Sequence, residues 1–267
     1  SRLCRPQPSQ RYSDSTAALR DFLELESNPN LVLGTRDYST ELRRPSWCGR
    51  EKELRALLTA AEEPQVKSVC VSAPAGFGKS ALLREFRRRS PTNLEGFELP
   101  SDPEGHLKPT EVLASMLHAR RMSIDEIAAR LNRRAGGVLI FDDLQWASPS
   151  TLQLLERLYH GLTNDWTLLL AHRPVEASWP IDRHLELPAL SADEAGALCR
   201  SMLGPCKREL SDHIARMSQG SPLMIEALLR GLWEGGNLES RDFIWRLKEG
   251  YQMQVSLASS LIFAERL

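Results

Sequence analysis

Three short stretches carry side chains whose types and spacing suit phosphate chemistry. In "SAPAGFGKSALL", residues 72–83, Gly78, Lys79 and Ser80 fall in the pattern G-x-x-x-x-G-K-[ST], with Ala73 where the first glycine would stand. Between a strand and a helix, such a loop turns backbone N–H groups toward phosphates, and the helix N-terminus adds its positive end. Lys79 then supplies a cation for the β- and γ-phosphates, and Ser80 a hydroxyl for magnesium. The first loop position ends the strand and needs glycine only where φ is positive or the backbone is crowded, so Ala73 is expected to be tolerated. Gly76 and Gly78 remain where the chain must wrap a phosphate closely.

The second stretch is "VLIFDDLQW", residues 138–146. A magnesium–triphosphate site needs a carboxylate at the end of a neighbouring strand and a second group that orients the attacking water. Asp142 suits the first role and Asp143 the second; the competing reading is an ordinary acidic turn. The third stretch is "LLLAHRP", where Arg173 follows a strand and is placed to meet charge developing on a γ-phosphate. Its competing reading is a surface arginine. His172 beside it is read as structural.

The elements that must position these groups alternate. Short apolar runs "VKSVCVSA", "LEGFELP", "GGVLIFDDL", "WTLLLAHRP" and "RHLELPAL" read as strands. Between them, "SALLREFRRRS", "KPTEVLASMLHARR", "SIDEIAARLNRR" and "SPSTLQLLERLYHGL" read as helices. Ser123 with Glu126 forms a capping box, and Pro149 takes a first helical position. The alternation implies right-handed crossovers and a mainly parallel sheet, an α/β class. After residue 190 the pattern turns helical: "SADEAGALCRSMLG", "KRELSDHIARMSQG" and "SPLMIEALLRGLWEGG".

With 267 residues, 34 basic against 35 acidic, and 42% hydrophobic residues, the chain is an ordinary globular one without a global bias toward nucleic acid. No apolar run reaches membrane-spanning length, and "SRLCRPQPSQRYSD" lacks a signal-peptide core. Five scattered cysteines without a C-x-x-C pair suit reduced thiols and a cytoplasmic location. Cys199 and Cys206 match no common zinc spacing.

Taken together, "CGREKEL", the glycine loop, "VLIFDDLQWASPSTLQLLERL", "LLLAHRP", "LPALSADEAGAL" and "MSQGSPLMIEALL" resemble, in order and spacing, the STAND-type signalling ATPases of the AAA+ group. The resemblance covers about residues 47–235. It implies a P-loop core over 47–190, a helical lid over 191–236, and a nucleotide, ATP or ADP with magnesium, held between them. It implies base contacts at Gly49 and Arg50 and a lid motif at Gly220, Ser221 and Pro222 near the adenine. The implied nucleotide contacts are Gly49, Arg50, Ala73, Gly76, Phe77, Gly78, Lys79, Ser80, Ala81 and Pro222. Ser80 and Asp142 would hold the metal, with Asp143 and Arg173 catalytic. Trp47-Cys48 departs from the more usual aromatic-valine pair, and the segment between loop and acidic strand is short.

Residues 1–28 resemble the last helix of a Ser/Thr protein kinase, through "PSQRYSDSTAALRDFL" with Arg11 as its buried arginine. Residues 29–46 read as a linker. "SLASSLIFAERL" resembles the first helix of a winged-helix domain, so 237–267 is expected to begin one. The chain then reads as the middle of a larger signalling protein. The expected function is a slow magnesium-dependent ATPase acting as a regulatory switch. The alternative is an ADP-bound scaffold with negligible turnover, and a DNA motor ranks below both. Expected partners are ATP, flanking or partner signalling domains and, in a nucleotide-dependent way, other copies of the chain; nothing points to a nucleic acid or a membrane.

Overall fold

The computed structural model describes residues 42–90, 95–99, 109–118, 122–174 and 181–251. From Arg43 onward these belong to one unit, Arg43–Leu267. The kinase-like helix, most of the expected linker and the winged-helix-like segment "SLASSLIFAERL" lie outside the described residues.

Helix α1 (Glu51–Glu62) leads into strand β1 (Ser68–Ser72), the glycine loop and α2 (Lys79–Arg89). Strand β2 (Glu95–Leu99), α3 (Pro109–Met116), α4 (Ile124–Leu131) and β3 (Gly137–Phe141) follow. A 3-10 turn (Leu144–Trp146), α5 (Pro149–Gly161), β4 (Trp166–His172) and β5 (Arg183–Glu186) complete the sheet layer. All pairings are parallel, in the order β2-β3-β4-β1-β5.

The central strands are buried on both faces, and their alternation divides the core. Val69, Val71, Val138, Ile140 and Leu169 point to the face covered by Leu54 and Leu57 of α1 and Leu82 and Phe86 of α2. Leu139, Phe141, Leu168 and Leu170 point to the opposite face, against Leu113, Ile127, Leu131 and Leu158 of α3, α4 and α5. The period of two in the strands therefore fixes a three-layer sandwich. Ser123 and Glu126 form the expected capping box, and Ser148 caps α5 with Pro149 in its first turn.

Helices α6 (Ala192–Leu203), α7 (Arg208–Ser218) and α8 (Pro222–Glu234) pack on one another as a helical lid. A second capping box, Ser191 with Glu194, opens α6. Beyond the lid, where residues 237–267 are expected to begin a winged-helix-like domain, the structure places an antiparallel hairpin, β6 (Leu238–Arg241) and β7 (Ile244–Leu247). Its turn residues Asp242 and Phe243 both have positive φ. That geometry is usually written Asn-Gly, so the turn carries no sequence signal of its own.

Asp182 fastens the near end of the P-loop strand. Its carboxylate accepts the Lys67 and Ser68 amides at 2.8 and 2.9 Å and the Tyr159 hydroxyl at 3.0 Å. Replacing it with alanine strands two backbone donors at the sheet's rim. Asp182→Ala is expected to cost about 3 kcal/mol, the loss of charge-assisted bonds to groups left unpaired. Urea unfolding measures this, and an unchanged midpoint would show that the carboxylate does not hold β1.

Candidate functional site

The site is built at the carboxyl edge of the sheet, where parallel α/β folds place their ligands. Ser72 lies opposite His172, and Phe141 opposite Leu170, so the glycine loop, Asp142 and Arg173 all leave the sheet at that edge. Here the sequence expectation needs one correction. The strand bearing Asp142 is not the neighbour of the P-loop strand, because β4 lies between them. Arg173 therefore emerges between the loop and the acidic pair.

Ala73 is fully buried, and its φ is not positive, which is why a methyl group is accepted there. Gly76 and Gly78 have φ of 78° and 89°, values that a side chain would strain. Gly78 precedes α2 without any side-chain cap, so the first-turn amides of α2 remain available to an anion. The Lys79 ammonium is buried and donates to the Ala73 and Pro74 carbonyls at 2.8 and 3.3 Å. Burial pulls its pKa down, against the opposing pull of Asp143 and Asp142.

Asp142 is hydrogen-bonded to the Ser80 side chain and accepts the Asp143 amide at 2.8 Å. Burial pushes its carboxyl above the usual range; the Ser80 bond opposes this and the Asp143 charge adds to it. A hydroxyl and a carboxylate in contact fit magnesium, which takes one or two such ligands beside phosphate oxygens and water. Among the described residues no cluster of three His, Cys, Asp or Glu could hold a metal unaided. Asp143 sits at φ 54°, in the left-handed region that aspartate tolerates better than most residues.

Arg173 is fixed through its backbone as well as its side chain. Its guanidinium lies over the Trp146 ring, 5.4 Å from the centroid. Its carbonyl meets His172 Nδ1, while His172 Nε2 meets the Cys70 thiol. The Arg173 carbonyl can only accept, so in the neutral ring the proton sits on Nδ1 and Nε2 accepts from the Cys70 thiol, whose pKa burial pushes up to about 12. The structural reading of His172 thus gains a specific content: it holds Arg173.

The lid is joined to the loop by direct bonds. The Gly76 carbonyl accepts the Leu223 amide at 3.2 Å and the Ser221 hydroxyl at 3.3 Å, both from the start of α8. A Cβ on Gly76 would stand 2.9 Å from the Leu223 Cβ, so only glycine permits this approach. Arg50, 4% exposed, donates to the Phe77 carbonyl at 3.0 Å and the Pro188 carbonyl at 2.7 Å, and its amide meets Glu194 at 2.9 Å. Burial raises the Glu194 carboxyl, but bonds from the Arg50 amide and from Ser191 outweigh it and bring the group below its usual value. Gly49 has φ 74°, and a Cβ there would fall 2.6 Å from the same carboxylate. Gly49 and Arg50 thus lock the core to the first lid helix.

Between core and lid lies a cavity of about 900 Å³. Of the residues singled out in the sequence, Arg50, Gly76, Gly78, Lys79, Ser80, Ala81, Asp143, Arg173 and Pro222 line it. Gly49, Ala73, Phe77 and Asp142 do not, although Asp142 touches Ser80 and Phe77 holds Arg50. Trp47, Cys48, Arg84, Trp146 and Glu226 also line it and had been given no role. Gln145 joins Asp143 to the Arg173 amide and was missed likewise. The proximity of Trp146 and Gln145 to the aspartates in "DDLQW" was the only available signal.

No protein-family model matches the chain, and no curated protein does. Solved structures do. The chain is similar to a Walker-type ATPase of Pyrococcus abyssi, at 17% identity and a TM-score of 0.57, over 75% of this chain and 71% of that one. It is similar to Drosophila ORC, solved bound to DNA, at 16% identity and a TM-score of 0.53, over 74% and 58%. A STAND protein of Pyrococcus horikoshii with a tetratricopeptide repeat sensor aligns at a TM-score of 0.48 and 16% identity, over 75% and 31%, too distant a likeness to single out that class. At such identities the likeness is one of fold: a parallel α/β core followed by a helical lid.

The raised carboxyl of Asp142 gives a test with a definite sign. At neutral pH the group is ionised in both folded and unfolded chains, and the folded state bears the cost of burying the charge. As pH falls through the raised value, the folded protein takes up the proton and recovers that loss. Asp142→Asn is therefore expected to melt higher than the parent at pH 7 without nucleotide, with the gap closing below the ordinary carboxylate range. Thermal melts across pH check this, and a gap that widens on acidification would contradict it.

Proposed function

We propose that the chain is an ATP-binding, slowly hydrolysing switch module of a multidomain signalling protein. The observation that carries this reading is the Gly76 carbonyl, bonded to the lid helix from within the phosphate loop itself. A phosphate seated on that loop bears on the peptide that holds α8. In this reading Lys79 leaves the Ala73 and Pro74 carbonyls for the β/γ-phosphates. Ser80 and Asp142 hold magnesium, which when bound neutralises charge on the phosphates. Asp143 orients the attacking water, and Arg173 leaves Trp146 for the γ-phosphate. The lid then differs between ATP and ADP, and flanking domains read the difference. The domain limits given above, and a winged-helix-like region after the lid, belong to the same proposal.

Calorimetry and phosphate release test it together. Lys79→Ala is expected to abolish tight ATP binding in a folded protein, since it removes the one cation of the loop. Asp143→Asn is expected to keep magnesium–ATP binding while hydrolysis falls. Binding without any phosphate release by the parent would turn the switch into a nucleotide-held scaffold, and unchanged affinity in Lys79→Ala would remove the site.

Arg173 sets the scale of the switch. Moving a two-state element from 1:99 to 99:1 takes roughly 5.5 kcal/mol of differential affinity. One charge-assisted contact, worth about 1.5–3 kcal/mol, supplies a substantial part. Arg173→Ala is therefore expected to narrow the ATP-over-ADP affinity ratio by roughly one to two decades with ADP binding little changed. Parallel titrations decide this, and an unchanged ratio would assign γ-phosphate reading to another residue.

A further inference from the structure

Gln145 stands between the two groups to which the proposed chemistry is assigned. Its side-chain amide nitrogen donates to Asp143 Oδ1 at 2.9 Å, and its amide oxygen accepts the Arg173 backbone N–H at 3.2 Å. The two bonds fix each other. The Arg173 amide is a pure donor, so the Gln145 oxygen must face it and the NH₂ must face the carboxylate. Glutamine is the only common side chain that supplies both a donor and an acceptor at this reach.

On the other side of its Cα, the Arg173 carbonyl is held by His172, itself held by Cys70 on β1. The Arg173 side chain rests on Trp146, the residue after Gln145. The Arg173 side chain thus leaves a backbone whose N–H is tied, through Gln145, to the carboxylate assigned to the attacking water.

We infer that Gln145 is a positioning residue that couples the Arg173 peptide to the Asp143 carboxylate, so that γ-phosphate contact at Arg173 sets the orientation of Asp143. The functional half of this rests on the reading of the site given above. The physical half, a hydrogen-bonded relay, is open to test in protein without nucleotide.

Two experiments on the full chain separate these halves. First, the Arg173 amide resonance is followed by NMR as Asp143 is changed to Asn. In the parent background the resonance is expected to move, and in a Gln145→Leu background most of that movement is lost. Equal movement in both backgrounds would overturn the relay, whatever the protein hydrolyses.

Second, kcat and ATP affinity are measured for Gln145→Leu and Gln145→Glu. Glutamate keeps the shape and the acceptor for Arg173 but has no donor for Asp143, so both variants are expected to lose roughly tenfold in kcat, within the span of coupling inside one hydrogen-bonded network. ATP affinity should change less than about threefold, because neither bond reaches the loop. Gln145→Leu added to Arg173→Ala should cost little more than Arg173→Ala alone. A glutamate variant with parental kcat, or fully multiplicative losses, would overturn the coupling. No hydrolysis by the parent would defeat the ATPase reading, while the resonance experiment still decides the relay.

Discussion

The Gly76 carbonyl is the atom on which the arrangement depends. It belongs to the glycine loop, yet it accepts two hydrogen bonds from the first residues of α8. Its glycine is required twice over, by a φ of 78° and by the closeness of Leu223. Because the bonded partner is backbone on one side and a helix N-cap on the other, the contact has little freedom to stretch. A loop that re-shapes around phosphate must carry the lid helix with it or break these bonds.

Arg50 and Glu194 form the other half of the connection between core and lid. A buried guanidinium bridging two carbonyls is costly to leave unmet, so the Phe77 and Pro188 peptides are held at a set separation. Glu194 closes the lid helix's capping box with one oxygen and takes the Arg50 amide with the other. One carboxylate thus ends a helix and joins it to the core. The interposed strand β4 supplies the remaining connection, since its end brings Arg173 between loop and acidic pair.

Much of this was legible in the sequence, for physical reasons that can be named. Strands β1, β3 and β4 are short apolar runs that only a two-sided burial explains, and Ser123 and Ser191 announce their helices through local hydrogen bonds. The loop itself was legible because Gly76, Gly78, Lys79 and Ser80 each answer a local steric or charge demand. Strand order was not, because the insertion of β4 depends on packing between distant segments. The second role of Gly76, the bond from Gln145 to the Arg173 amide and the stacking of Trp146 on Arg173 were equally hidden, because Gln145 reaches Arg173 across 28 residues and Gly76 reaches the lid across 145 or more. The hairpin after the lid was missed because Asp242-Phe243 is an unusual pair for its turn.

The central claim is that the loop and the lid respond together to the nucleotide. Hydrogen–deuterium exchange over residues 74–80 and 221–234, with no nucleotide, with ADP and with a non-hydrolysable ATP analogue plus magnesium, measures it most directly. Both segments are expected to change protection together, and α8 is expected to differ between ADP and the analogue. Protection of the loop with α8 identical in all three states would contradict the account.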